Sequence, residues 1–373
     1  MARTFVMGDP QAPFAKVLEV LAHHGALAGD RIAPGVTLVS IGDHFDFDQQ
    51  DPDGAGVQGT HLLRWLAGHD PAQVPILLGN HDAARVMELI GFSDAAFAEA
   101  RRRARAIDGP AAAAEFAAAY PDLPAPGTVG RDFASYATAQ RDAVVEYLLA
   151  GRLRLALAGE LLDGRTCLLT HAGVTSRELA LLGVASSGSP TSPASPGSPT
   201  SPTSPTSPDP RTIAAALEAY LRAAVDAVRA PWQRGELVPL SLEPVHRAGA
   251  AGEEGGGLLY HRPSNPDRPG APPVSAARPR RFDPRTLPPG LTQVAGHSGH
   301  AKCVHELDGW VTPRAHTRAR GGIRTLRVEG ATVTYDLGVA PPAPGAADLI
   351  LIDGELRRVP ASEVELLPLA RIL

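Results

Sequence analysis

Thr4-Phe5-Val6-Met7-Gly8-Asp9-Pro10-Gln11 runs apolar, stops at a glycine, and then delivers an acid and an amide two residues apart. The pattern returns along the chain. Val36 to Ile41 leads into Gly42-Asp43-His44-Phe45-Asp46, Pro75 to Leu78 into Gly79-Asn80-His81-Asp82, Thr166 to Thr170 into His171-Ala172-Gly173, and Thr292 to Ala295 into Gly296-His297-Ser298-Gly299-His300. Short apolar runs closed by turn residues read as strands, and the loops that follow strands carry functional groups. Taken singly, a Gly-Asp or Gly-Asn pair is an ordinary turn and a lone histidine a core residue. As an ordered set they place a metal-ligand side chain at five strand ends, the arrangement of a two-metal site.

Between these runs lie stretches of helical period, Phe14 to Leu27 and Gly59 to Leu66, so the first ninety residues read as βαβ units of an α/β (α+β) protein. Ligands bind at the carboxyl ends of strands in such sheets, which is where the motifs fall. Residues 93–150, rich in Ala, Arg and Glu, read as several helices broken near Pro121 to Gly130, an inserted cap. The Ser-Pro repeat at 186–210 offers nothing apolar to bury and reads as a disordered or polyproline-like linker. A second Pro/Gly/Arg-rich insert covers 248–289, interrupted by Leu258-Leu259-Tyr260-His261-Arg262-Pro263, which is expected to dock on the domain. After Gly290, apolar alternation predicts further antiparallel strands at Thr292 to Ala295, Ile323 to Val328, Thr332 to Leu337 and Leu349 to Ile352. One domain over 1–373 made of two sheets is the simplest reading.

The chain has 373 residues, with 35 Lys plus Arg against 40 Asp plus Glu, which argues against an obligate nucleic-acid partner. Two cysteines, Cys167 and Cys303, suit a reducing compartment rather than a disulfide framework. The first motif begins at once, leaving no room for a signal peptide, and no apolar run approaches the ~18 residues of a membrane span. A cytoplasmic protein without a membrane partner is expected.

Two closely spaced cations need a bridging carboxylate, and Asp43 is the natural one. Asp9 adds charge at the first metal and Gln11 a neutral oxygen. Asn80, His171 and His297 complete the second. Such a mixed oxygen and nitrogen set suits two divalent ions drawn from manganese, iron or zinc. His81 follows Asn80 directly and so aims elsewhere, toward substrate, with Asp46 the carboxylate that would fix its tautomer and raise its pKa. Asp82 reads as a residue of a helix N-terminus, His44, His261 and His305 as surface or supporting groups, and His23-His24 as a solvated helix face.

The five segments in this order resemble the calcineurin-like metallophosphoesterase superfamily, whose motifs run Asp-x-His, Gly-Asp-x-x-Asp, Gly-Asn-His-Asp/Glu, a lone His, and Gly-His-x-His or a shorter Gly-His. Gly42-Asp43-x-x-Asp46 with Gly79-Asn80-His81-Asp82 is most similar to the phosphoprotein phosphatase and diadenosine tetraphosphatase branch. The resemblance implies a β-sandwich of two sheets flanked by helices, a dinuclear centre, metal-bound hydroxide attacking phosphorus, and an Asp46–His81 pair protonating the leaving group. Three positions depart from the pattern. Gln11 stands where the family has His, and Phe47 where the branch has an Arg that grips phosphate, leaving Arg262 and Arg85 as replacements. Two residues rather than one separate His297 from His300, so His300 either reaches the first metal or lines the pocket.

The expectation is therefore a metal-dependent phosphoric ester hydrolase acting on phosphomonoesters, either a phosphorylated small molecule or a phosphoprotein. The alternatives are a nucleotide or dinucleotide polyphosphate hydrolase or phosphodiesterase, and a non-catalytic scaffold on the same fold.

Overall fold

The computed structural model describes residues 2–184, 209–271, 278–317 and 321–373. Among them, eleven strands form one mixed sheet flanked by helices. In chain order these are β1 (Arg3–Met7), β2 (Val36–Ser40), β3 (Ile76–Leu77), β4 (Leu153–Arg154), β5 (Ala156–Leu161), β6 (Thr166–Thr170), β7 (Thr292–Ala295), β8 (Arg324–Glu329), β9 (Thr332–Leu337), β10 (Ala347–Leu351) and β11 (Leu367–Ile372). Their order across the sheet is β9-β8-β10-β7-β6-β5-β11-β1-β2-β3-β4. β1 to β4 pair in parallel, as βαβ units require. β8 pairs antiparallel with both β9 and β10 as expected, whereas β7 runs parallel to β6 and β10.

The hydrogen-bonded ladder is continuous through all eleven strands, but it is not flat. A Cβ placed on Gly8, just past β1, would lie 2.0 Å from the Ile352 carbonyl oxygen, just past β10. Five strand spacings separate β1 from β10, about 24 Å in a flat sheet. The sheet therefore bends back until those two strand ends touch. A buried cluster of Val6, Val39, Leu169, Val294 and Ile350 draws on both halves, each fully buried aliphatic contributing roughly 1.5–3 kcal/mol.

The helices are α1 (Phe14–His23), α2 (Pro52–Ala67), α3 (Asn80–Ala84), α4 (Asp94–Arg105), α5 (Pro110–Ala119), α6 (Thr138–Leu149), α7 (Ser176–Leu181), α8 (Pro210–Gln233), α9 (His300–Leu307) and α10 (Pro313–Thr317). The helical stretch expected over 93–150 comprises α4, α5, a π-helical turn at Thr128–Asp132 and α6. α2 begins seven residues before the expected Gly59: the Asp51 carboxylate caps it by accepting from Gly54 N–H, and Pro52 takes the first turn. Gly54, Gly56 and Gly59 disguise it as a turn region, yet two of them are packing requirements. A Cβ on Gly56 would lie 2.7 Å from Ser135 O, and one on Gly59 2.7 Å from His44 O.

β11 and α8 go beyond the sequence expectation. Pro368 within Leu367–Ile372 argues against a central strand, but β11 lies between β1 and β5. α8 shows plain signals: Asp209 accepts from Arg211 N–H, Pro210 follows, and Ile213, Leu217, Leu221, Val225, Val228 and Trp232 recur at helical spacing and are buried. Leu258 to His261, the expected docking segment, are buried. The expected Ser-Pro excursion falls almost wholly on 185–208, outside the described residues.

Candidate metal centre

Three residues of the motif loops hold a left-handed backbone: Asp43 (φ 60°), Asp46 (φ 65°) and His297 (φ 59°). They are half of the six non-glycine residues with positive φ among those described. Such conformations cost of order 1 kcal/mol or more and collect where a side chain must be aimed. Glycines make room for them. A Cβ on Gly79 would lie 2.1 Å from Asp43 Oδ1, and one on Gly296 would lie 2.0 Å from Asp9 Oδ1.

Asp82, near the start of α3, ties two motif loops together from beneath. Its carboxylate accepts from the backbone N–H groups of Gly79 (2.9 Å), Asp43 (3.0 Å) and His44 (3.1 Å). It also accepts from His44 Nδ1, while His44 Nε2 meets Ser40 Oγ at 2.9 Å. His44 thus lies fully buried as a strut between β2 and α3.

The ligand atoms of Asp43, His171 and His297 lie within 4.8 Å of one another, the one such convergence of three or more His, Cys, Asp or Glu groups among the described residues. Both imidazoles are oriented by backbone carbonyls. His171 Nδ1 donates to Ile41 O (2.9 Å) and His297 Nε2 donates to Tyr260 O (2.9 Å), which leaves His171 Nε2 and His297 Nδ1 with their lone pairs for a metal. His171 Nε2 faces Asn80 Oδ1 at 3.0 Å and Asp43 Oδ1 at 3.4 Å. Two oxygens and a nitrogen, each presenting lone pairs, repel one another unless positive charge sits among them. The donor set therefore suits a borderline divalent cation.

The electrostatics agree. Burial alone would lower the His171 pKa, but Asp43 and then Asp9 outweigh it and push it up to about 9, so a proton takes the place of positive charge there. Burial works against the Asp43 carboxylate too, yet His171 and His81 hold it well below its usual range. His297 goes the other way, held well below the histidine range by burial and then by Arg262, and so stays neutral and free to coordinate.

The second expected metal position is less complete. Asp9 accepts from the His297 backbone N–H at 3.0 and 2.9 Å, and burial, followed by the nearby Asp353 carboxylate, raises its pKa well above the ordinary value. Gln11 Nε2 is buried without a hydrogen-bond partner. His300 lies apart from the convergent set, its Nδ1 3.0 Å from the Tyr335 hydroxyl and its ring stacked on that tyrosine.

Beside the Asp43 carboxylate, His81 Nδ1 meets Asp46 Oδ2 at 2.8 Å, and His81 Nε2 lies 3.8 Å from Asp43 Oδ2. Burial disfavours the imidazolium, but Asp43 and Asp46 raise its pKa overall. Asp46 is held in turn. Ser135 N–H (2.9 Å) and Oγ (2.6 Å) donate to Oδ1, and Arg85 Nη2 lies 2.6 Å from Oδ2.

Arg85 departs from its expected role as a phosphate grip. Its side chain is fully buried, and it spends its donors on Asp46, Gln140 Oε1 (3.0 Å) and the His81 carbonyl (3.0 Å), with its guanidinium over the Phe45 ring. A cation so engaged, with no exposed surface, positions Asp46 rather than gripping a ligand. Arg262, by contrast, is only half-buried, with Nε 3.4 Å from His297 O. Lys302, which the motifs did not single out, joins it: the Arg262 guanidinium, and then burial, lower the Lys302 pKa, while the carboxylates of Asp353, Asp132 and Asp9 oppose that shift.

No protein-family model matches the chain, and no curated protein matches it.

Proposed function

We propose that this chain is a metal-dependent phosphoesterase built on the calcineurin-like plan, acting on phosphomonoesters. The observation that carries the reading is the convergence of Asp43, His171 and His297 beside a His81 imidazole held by Asp46. The meeting of Gly8 with Ile352 supports reading the two halves of the bent sheet as the two sheets of that plan.

Asp43, Asn80, His171 and His297 would hold one divalent ion, and Asp9, with Gln11 and Asp43, would hold a second. Bound there, manganese, iron or zinc supplies Lewis acidity toward a phosphoryl oxygen and acidifies water. The chain's own groups do the rest. Asp46 fixes the His81 tautomer with the proton of Nδ1 directed at itself, leaving Nε2 to carry the second proton. With its pKa raised by Asp43 and Asp46, His81 is charged below its elevated pKa and delivers that proton to the departing oxygen. Arg85 and Ser135 keep Asp46 ionised, burial opposing and Arg85 prevailing. Arg262 and Lys302 are the cations left to neutralise phosphate charge, in place of the arginine that Phe47 replaces.

The test is hydrolysis of p-nitrophenyl phosphate and its bis-ester by the full chain with added manganese and after chelation. Metal-dependent turnover of the monoester supports the reading. Absence of turnover with any of manganese, iron or zinc contradicts it.

A further inference from the structure

A cavity of about 690 Å³ lies on the far side of Ser135 from the Asp46–His81 pair, between α2, α4 and residues 135–139. Part of its lining is apolar, formed by Val57, Phe97, Ala98 and Tyr136, and Val57 is 72% exposed despite being a large aliphatic. An opening of this size with apolar walls is of the kind that holds small organic molecules. The charged groups at its mouth are not equivalent. Asp94 accepts from Thr138 N–H (2.7 Å) and Oγ1 (3.1 Å), and Asp53 is paired with Arg101 (3.1 Å). Arg64 lies on the α2 face that carries Val57 and Thr60, and its guanidinium has no hydrogen-bonded or ion-paired partner among the described residues. The charged side chain left without a partner there is thus positive, over an apolar wall, while Asp94 is held by neutral donors alone.

We propose that this cavity binds a small amphipathic carboxylate, an apolar chain or ring ending in one acid group, with the tail against Val57, Phe97 and Ala98 and the acid on Arg64. The site is coupled to the proposed catalytic pair through Ser135, which lines the cavity and also donates to Asp46 Oδ1. α2 leaves Ser135 no slack: a Cβ on Gly56 would lie 2.7 Å from Ser135 O. A guest that shifts α2 against this contact moves the hydrogen bond that holds Asp46. The regulatory half of this inference rests on the phosphoesterase reading, and the binding half does not.

The test titrates the full chain with decanoate and with decanol as the neutral control, below the micelle range, by calorimetry, and follows p-nitrophenyl phosphate turnover over the same titration. Saturable one-site decanoate binding is expected, weakened about tenfold or more in Arg64→Gln and lost in Ala98→Trp, where an exposed position on α4 fills the mouth. Thermal unfolding of both variants close to that of the wild type shows that loss of binding is local. Absent decanoate binding, binding undiminished in Ala98→Trp, or equal affinity for decanol overturns the site. Binding with unchanged turnover overturns the coupling alone. Binding to a protein with no turnover leaves the site standing and contradicts the phosphoesterase reading instead.

Discussion

At the scale of single residues, the Asn80-His81-Asp82 triplet divides its labour by direction: Asn80 faces His171, His81 faces Asp46, and Asp82 points beneath to the Asp43 and His44 amides. His81→Ala is therefore expected to retain metal while kcat falls roughly 10²–10⁴-fold, most for poor leaving groups. Pre-steady-state assays with phosphate esters of graded leaving-group acidity check this, and loss of metal in His81→Ala would show that the side chain ligates. Arg85→Met removes one partner of a buried ion pair and is expected to cost about 3–5 kcal/mol in stability, read by urea unfolding, because Asp46 is left charged and buried. The His171 shift also sets a pH dependence. A histidine raised from 6.5 to about 9 stabilises the metal-free protein fully below about pH 6.5, and that contribution is lost as pH rises through about 9. The full shift corresponds to about 3 kcal/mol. Chelated protein should therefore lose urea resistance across that window, while metal affinity rises over it because the ion competes with the proton. A flat chelated profile would mean that His171 holds no proton there.

Much of this was legible at residue level because chemistry and geometry share a signature: a ligand beside a glycine at a strand end. Asp43, Asn80, His171 and His297 converge because Gly42, Gly79 and Gly296 let neighbouring loops approach within a side chain's width. What was not legible is direction. Nothing in the sequence distinguishes an arginine that grips ligand from one turned inward, so Arg85 was expected at the phosphate and lies under Asp46 instead. His300 is likewise three residues from His297, yet the turn into α9 carries its ring to Tyr335.

At the scale of elements, α2 shows why helix propensity misjudged the start of the helix. Its glycines lower propensity by about 1 kcal/mol each relative to alanine, but Gly59 allows the helix to lie against the His44 carbonyl in the loop that carries Asp43 and Asp46. Gly59→Ala is therefore expected to destabilise by about 1–3 kcal/mol through overpacking, despite the better helix former, and to lower turnover as well. A higher unfolding midpoint in Gly59→Ala would mean that the loop yields freely. The strands of the first half were readable from their apolar runs, and α8 from its cap and period. β11 was not, since Pro368 and Arg371 break a short pattern whose central place is fixed only by pairing with β1 and β5.

At the scale of the whole molecule, the candidate site forms because one sheet bends until strands four and five positions apart meet at their ends, Gly296 against Asp9 and Gly8 against Ile352. His171 at the end of β6 and His297 at the end of β7 come from one half, Asp43 and Asn80 from the other, so the metal would stitch the halves across the bend. Local periodicity predicts the strands but carries no record of that curvature. Quantifying bound transition metal in the purified full chain, the wild type beside His297→Ala, Asn80→Ala and His81→Ala, measures the centre most directly. At least one manganese, iron or zinc per chain in the wild type and in His81→Ala, and its loss from the other two, is the result expected. A wild type without bound metal, or a His297→Ala protein that binds as much as the wild type, would contradict the account.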